Sequence, residues 1–498
     1  MKVLMIYPKY PDTYWSFTHA LKFISKKAAV PPLGLITVSA MLPENWQKKL
    51  IDLNIEELNS DDIKWADYVF LSSMYVQKES VTEILATCKD YPVKVIAGGP
   101  LFTQEYDKYP QIDHFILNEA EITLPLFLSD LEHDSVKRIY QTDEYADLLV
   151  SPVPDFHLLN MEAYASMSLQ VSRGCPFSCD FCEITALLGH KVRMKSSEQV
   201  INELEALYKL NWKGLVSVVD DNFIGNKKVI KKKLLPSIIK WMEMHNHPFS
   251  FNAQTSINLA DDDQLLTLMR EAGFISTFIG IETPVEESLQ SCHKIQNENR
   301  NLLENVKQIQ KAGLQVSGGF IVGFDSDTST VFQRQIDFIQ KSGIVSAMVG
   351  LLNAPKNTKL YKQMQEENRL TVDATGSNTD FTMNFIPRMD KQKLLEGYYR
   401  IINSIYKEKP YYKRIRELFR NYKPVKTRKS DIDLARLRAF LKSVFVLGLL
   451  NRGRFEYWKF MIWTIVNKPK LLEEAITFSV YGYHFRTVYG LRQVGRKY

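Results

Sequence analysis

Cysteine is scarce in this chain: Cys88, Cys175, Cys179, Cys182 and Cys292 are the only five in 498 residues. So small and odd a set excludes a disulfide scaffold, and three crowded together point to a reducing compartment and metal binding. Also lacking is any apolar run of the roughly 20 residues needed to cross a bilayer. The N-terminal "MKVLMIYPKYPDTYW" has no small-residue cleavage site after its apolar segment, so it does not read as a signal peptide, and the expected location is the cytoplasm. With 45% hydrophobic and 24% charged residues, the composition excludes disorder, and the length implies two or three domains with their own cores. The net charge is a modest +6. Basic residues crowd toward the C-terminus, as in "KPYYKRIRELFRNYKPVKTRK" from Lys409 to Lys429. That pattern fits a solvated helix face, anionic lipid or another acidic partner; nucleic acid is not expected.

Residues 1–135 alternate short apolar runs ("KVLMIYP", "KKLIDLN", "DYVFLSSM", "VKVIAGGP", "DHFILNEAE") with helix-like segments, which predicts a Rossmann-like α/β domain with a parallel sheet. Ligands of such sheets sit beyond the carboxyl ends of the strands. Ser72, Ser73, Gly98, Gly99, Pro100 and Glu119 all fall at that edge. Residues 136–162 are aperiodic and contain Pro152 and Pro154, and read as a linker. Residues 163–360 carry six further strand and helix pairs, beginning with "MSLQVSRG" and ending with "IVSAMVGLLN", and predict a partial (β/α)6 barrel. Ser196 with Gln199 is a capping-box pattern, Asp261 is expected to start the helix "QLLTLMREAG", and Gly273, Gly313 and Gly343 sit where helices end. Residues 361–498 are expected to be mainly helical.

The cluster "SRGCPFSCDFCEI" (Ser172 to Ile184) offers three thiolates, whereas a structural zinc site needs four ligands. A fourth would have to come from His190, Cys88 or Cys292. A cubane cluster held by three cysteines instead leaves one iron open to a small molecule. The loop follows the first barrel strand, which puts it at the mouth where barrel chemistry occurs.

With its CxxxCxxC spacing and Phe181 before the last cysteine, "CPFSCDFC" resembles the cluster loop of radical S-adenosylmethionine (SAM) enzymes. The resemblance implies that Cys175, Cys179 and Cys182 hold a [4Fe–4S] cluster whose open iron chelates SAM, and that one electron cleaves SAM to methionine and a 5′-deoxyadenosyl radical. It also implies an electron donor such as flavodoxin or ferredoxin. "VVDDNF", "IGIET" and "GGFIVGF" follow in the family's order. They make Phe181, Asp220, Asp221, Asn222, Glu282, Gly318, Gly319 and Gly323 the expected SAM contacts. Asp221 and Asn222 also read as a helix cap before "KKVIKKKLL". "GFD" departs from the family's glutamate-ended pattern, so Asp325 is left out.

A Rossmann-like domain before such a barrel, with "PPLGLITVSAMLP" and "AGGP" after its strands, is similar to the cobalamin-binding domain of cobalamin-dependent radical SAM enzymes. The tail with "NAPKNTKLY" looks like the group containing the hopanoid C-2 methylases. The cobalt-binding Asp-x-His-x-x-Gly signature is absent, and "DLNIEEL" from Asp52 has no histidine. The implied activity is methylation of an unactivated carbon of a lipid or polycyclic natural product, with one SAM as methyl source and a second as radical source. No side chain is needed as acid, base or nucleophile. Two alternatives stay open: a cobalamin-dependent oxidoreductase or cyclase acting on a tetrapyrrole or other ring, and a zinc-stabilised binding protein. In the tail, "LKSVFVLGLL" and "FEYWKFMIWTIV" place apolar and aromatic residues beside Arg452, Arg454 and Lys459. Such helices either pack on the barrel or lie peripherally at the inner membrane face.

Overall fold

In the computed structural model, which describes residues 1–372, 375–377, 381–424 and 434–491, two parallel six-stranded sheets carry all the described strands but two, which pair with each other. The first contains β1 (Lys2–Tyr7), β2 (Gln47–Asp52), β3 (Tyr68–Ser72), β4 (Lys94–Gly98), β5 (His114–Ile116) and β6 (Ile139–Tyr140), in the order β2-β1-β3-β4-β5-β6. Leu4 and Ile6 of β1 join one apolar layer and Val3 and Met5 the other. The unalternating "VLMI" thus suits a sheet covered on both faces. β6 lies inside the stretch expected to be linker, and its pairing with β5 carries the sheet to Tyr140.

The run expected as one strand from Met167 to Gly174 is two. β7 (Met167–Leu169) stays in the second sheet, while β8 (Ser172–Arg173) turns out and pairs antiparallel with β9 (Arg193–Met194). The cause is Asp220, whose carboxylate accepts from the Val171 N–H at 2.7 Å and the Ser172 hydroxyl at 2.5 Å, drawing the chain out of line. The β8–β9 ladder closes the loop that bears the three cysteines. With β10 (Gly214–Val218), β11 (Phe249–Thr255), β12 (Phe274–Glu282), β13 (Gln315–Val322) and β14 (Ala347–Leu351), the second sheet runs β14-β13-β12-β11-β10-β7, the expected six-unit partial barrel.

Helix ends follow their local chemistry. The capping box forms, with Gln199 N–H on Ser196 Oγ and Ser196 N–H on Gln199 Oε1. Gly273, Gly313 and Gly343 take φ of +99°, +103° and +72°. The helix Asp263–Glu271 is capped by Asp262, not Asp261, because Arg300 holds Asp261 in a two-point ion pair. The helix after β10 is capped by Asn226, which leaves Asp221 and Asn222 free of that role.

An open barrel exposes two strand edges, and unpaired edges invite association. Here the tail covers one of them. On β14 the Ala347 and Val349 carbonyls accept from the hydroxyls of Tyr406 and Tyr398, which lie on the tail helix Lys391–Tyr406. Arg414, on the next helix, is fully buried and donates to the Val345 and Ile405 carbonyls. At the other edge, the Ala165 and Ser166 N–H groups donate to the carbonyls of Ala28 and Ala29. Of the basic run ending at Lys429, residues 425–429 lie outside the described residues.

Glu105 fastens the two domains. Its buried carboxylate meets Lys78 and Lys108 of its own domain and Lys356 from the segment after β14, at 2.5, 3.0 and 2.7 Å. Burial would push this carboxyl up, but the three ammonium groups hold it down at about 2. A depressed carboxyl stabilises the fold fully above the ordinary glutamate range and loses that contribution as pH falls toward 2. Glu105→Gln is therefore expected to cost about 3 kcal/mol at pH 7. Urea unfolding across pH should show the gap from the native chain narrowing below roughly pH 4.5.

Candidate active site

Gly174 opens the cysteine loop at φ +91°, where an added Cβ would stand 2.6 Å from the Lys191 carbonyl oxygen. Only glycine lets β8 turn so tightly against the returning chain. Cys175, Cys179 and Cys182 are free thiols, half-buried at this turn and close enough to influence one another electrostatically. Among the described residues, no three His, Cys, Asp or Glu side chains converge as tightly as a single metal ion requires. Three thiolates are one short of the four ligands of a closed zinc site, whereas a cubane held by three leaves one iron open. Burial raises the Cys175 thiol and pushes the Cys182 thiol up to about 12, so cluster assembly there would expel protons. His190 contacts Ser178, and Cys88 lies in the first domain's core. Cys292 is folded near Cys179, with its thiol directed at the Leu289 carbonyl.

Beside the thiols lies a buried cation with no signature in local sequence. Lys294 pairs with Glu282 at 2.6 Å and stands 5.8 Å from the centre of the Phe181 ring. Burial works to lower its pKa, yet Glu282 and the neighbouring thiols raise it above the usual lysine value. Glu282 sits at φ +61° where the β12–β13 register shifts, a strained position of the kind that clusters at functional sites. Gln296 points Nε2 at Cys179 Sγ, 3.6 Å away.

The other expected SAM contacts divide into several settings. Asp220 is fully buried with its oxygens engaged at the strand split, while Asp221 lines an open cleft, where burial and the charge of Asp220 push its carboxyl up to about 7. Asn222 is buried within hydrogen-bonding reach of Cys175 and of the Ser256 hydroxyl. A Cβ on Gly318 would come within 2.9 Å of the Phe320 ring, and one on Gly319 within 2.9 Å of the Phe278 ring, so both admit backbone alone. Gly323 takes φ +107° and donates its N–H to Asp327. Asp325 is held by Arg369 and Arg388.

The cleft, about 430 Å³, lies between the first sheet's carboxyl edge and the cysteine loop. Ser72, Ser73, Gly98, Gly99, Pro100 and Glu119 all line it, facing Glu183, Leu187, Leu188 and Asp221. No histidine is among its lining residues. The helix Leu33–Met41 forms an apolar wall, and Gly34, which is exposed on it, leaves open space where a Cβ would meet nothing within 4 Å. Gly99 takes φ +92° with Ser72 Oγ 2.8 Å from its would-be Cβ. These features fit a bulky planar cofactor whose tail passes over small residues. Glu119 also ties the cleft to the barrel, since its carboxylate receives Arg173 and Arg193, while Glu121 receives Arg173 through both oxygens. Sequence reading gave no role to Gly34, Arg173, Arg193 or Lys294; Gly34 lies within "PPLGLITVSAMLP" and Arg173 just before Gly174, while Arg193 and Lys294 stand in no recognisable motif.

Residues 169–339 match the Radical SAM superfamily, and residues 358–495 match a domain of unknown function, DUF4070. An uncharacterised methyltransferase of Synechocystis sp. is 38% identical over 97% of this chain and 91% of its own length. Hopanoid C-2 methylase of Rhodopseudomonas palustris is 30% identical over 97% of this chain and 92% of its own length. Among solved structures, the cobalamin-dependent SAM radical enzyme OxsB with aqua-cobalamin superposes with TM-score 0.65 at 14% identity, covering 98% of this chain and 79% of OxsB. The radical SAM methyltransferase TsrM of Kitasatospora setae, with cobalamin and a [4Fe–4S] cluster, superposes with TM-score 0.63 at 13% identity, covering 97% and 99%. A three-cysteine loop after the first strand of a six-unit barrel, facing a Rossmann-like edge, agrees with those relatives along nearly the whole chain: it belongs to the radical SAM methyltransferases, with hopanoid C-2 methylase among its relatives, and shares the fold of the cobalamin-dependent enzymes OxsB and TsrM.

Proposed function

We propose that this enzyme methylates an unactivated carbon of a lipid or polycyclic natural product, in the cleft between the cysteine loop and the first sheet's carboxyl edge. The observation that carries the reading is that the cleft runs from the first sheet's carboxyl edge to Arg173, Asp221 and the residues Glu183, Ile184, Leu187 and Leu188 just after Cys182, and is walled by apolar side chains of Leu33–Met41. When bound, SAM at the cluster supplies a hydrogen-abstracting radical and cobalamin supplies the methyl group. The chain's part is placement and exclusion of water. In this reading Cys175, Cys179 and Cys182 hold the cluster, while Asp221, Asn222 and Glu282 receive the polar groups of SAM. Gly318, Gly319 and Gly323 admit its adenine, and the Ser72, Ser73, Gly98, Gly99 and Pro100 edge carries the cobalamin tail. Relatives that share nearly the full length support methylation, including the hopanoid methylase, whereas the anaerobic magnesium-protoporphyrin IX monomethyl ester cyclase of Cereibacter sphaeroides matches at 23% identity over 60% of the chain. The reading includes an electron donor such as flavodoxin or ferredoxin. It also includes residence in the cytoplasm with peripheral contact at the inner membrane face, where a lipid substrate would be met. The domain limits it assumes are 1–135, 136–162, 163–360 and 361–498, with the sheet itself reaching Tyr140.

Two substitutions test the residue assignments. Cys179→Ala is expected to abolish the cubane absorbance after anaerobic reconstitution and to remove SAM cleavage, while Cys88→Ala retains both. Full cleavage by Cys179→Ala would overturn the cluster assignment. Gly34→Phe places a ring in the open space of the cleft, and protein with a normal cluster should then take up only a small fraction of the cobalamin bound by the native chain, read from the corrin absorbance after desalting. Equal uptake by Gly34→Phe would move cobalamin elsewhere. Comparing lipid and metabolite masses with and without the gene, in search of a one-methyl difference, identifies the substrate.

A further inference from the structure

Away from the cleft, large apolar side chains are exposed in a concentrated way on two tail helices. On Leu434–Ser443 and its continuation Val444–Leu450, Leu437, Leu441, Phe445 and Leu449 recur every fourth residue, and all are exposed. On Arg454–Asn467 the exposed set is Phe455 (68%), Trp458, Ile462 (59%) and Ile465, followed by Val466 at 74%. The opposite faces are core: Leu447, Tyr457, Phe460 and Met461 are at most 2% exposed. Each helix is therefore apolar on both sides, one packed on the protein and the other turned to solvent. Trp458 joins the two stripes by donating to the Gly448 carbonyl at 3.0 Å, and the ring lies 3.0 Å from where a Gly448 Cβ would stand. A contiguous apolar face of this kind on a folded protein marks a docking surface.

Its charge selects the occupant. Between Leu437 and Lys470 the sequence carries Arg438, Lys442, Arg452, Arg454, Lys459, Lys468 and Lys470 against one acid, Glu456, which pairs with Lys459 at 3.2 Å. We infer that this helical hairpin docks in the interface of an anionic lipid bilayer, its apolar stripes in the acyl boundary and its basic rim on the headgroups. Spanning is excluded for the described residues, since none of their helices is long and apolar enough to cross. A second copy would set one basic rim against another, which argues against self-association. The surface also reaches toward the barrel. Lys442 donates to the Lys22 carbonyl, and on the same N-terminal segment Trp15 stacks edge-on with Phe278 and points its indole N–H at the Met348 sulfur at 3.1 Å. One segment thus connects the docking face with the barrel strands, as suits a lipid passed from membrane to site. Docking of this kind goes beyond methylation itself and does not depend on which carbon is methylated.

The test is flotation of the full chain, carrying its cluster, with vesicles of phosphatidylcholine alone and of mixed phosphatidylglycerol and phosphatidylcholine. The native chain should float with the anionic vesicles, less so at high salt. Phe455→Glu with Ile462→Glu should reduce that partition roughly tenfold or more, because two inserted apolar groups become charged. Arg452→Gln with Arg454→Gln should erase most of the preference for phosphatidylglycerol. Cluster absorbance and SAM cleavage should be unchanged in both variants, which separates docking from misfolding. Absence of the native chain from both vesicle fractions, or flotation of the Glu variant equal to native, would overturn the inference. So would a dimer in light scattering that dissociates on Phe455→Glu without any flotation. Because flotation is read without substrate, its failure leaves the methylation reading standing, and loss of methyl transfer leaves docking standing.

Discussion

The site depends on one ion-pair knot between the domains. Arg173, the residue before Gly174 of the cysteine loop, reaches Glu119 and Glu121 at the first sheet's carboxyl edge, at 2.9 and 2.8 Å. Arg193, from the returning strand β9, closes on Glu119 at 2.7 Å and donates to the carbonyls of Ala146 and Leu188. All four side chains are largely withdrawn from water. Buried pairs of this sort add little net stability, since desolvation offsets most of the attraction, but forked, two-point contacts define geometry closely. Burial would raise the Glu121 carboxyl, yet Arg173 holds it below the ordinary range. Both ends of the cysteine loop are thereby tied to the first sheet's carboxyl edge, which fixes the loop's position against that edge.

That placement needs a barrel that is open and yet does not aggregate. Six strands leave edges at β7 and β14, and two different devices cover them: tyrosine hydroxyls and a buried arginine from the tail at β14, and backbone bonds from Ala28 and Ala29 beside β7. The tail therefore stands where the last two units of a closed barrel would be. Barrel and tail side chains share one core, which is why helical sequence after residue 360 is rich in buried Tyr and Phe. The same helices present their unburied apolar face outward in the hairpin.

Local signals made much of this readable in advance. Strand runs, the capping box at Ser196 and the helix-ending glycines obey rules that act over a few residues, and the structure realises them. CxxxCxxC after a strand marked the loop, and the structure places its three free thiols just after β8, where the sequence expected them. What escaped were pairings across long stretches of sequence. β9 has two residues and gains its identity only from β8; β6 exists because β5 offers an edge. Lys294 matters through Glu282 and the thiols, and Arg193 through Glu119, partners no window of sequence contains. Asp261 lost its cap to Asp262 because Arg300, far along the chain, claimed it first. Gly34 sat within "PPLGLITVSAMLP", but only the structure shows it opening on the cleft.

Under the proposed reading, each methylated product consumes two molecules of SAM in fixed proportion. In turnover with substrate and excess SAM, one S-adenosylhomocysteine and one 5′-deoxyadenosine should form for each methylated product, quantified together by mass spectrometry. Formation of 5′-deoxyadenosine and altered product with no S-adenosylhomocysteine would contradict methyl transfer in that cleft.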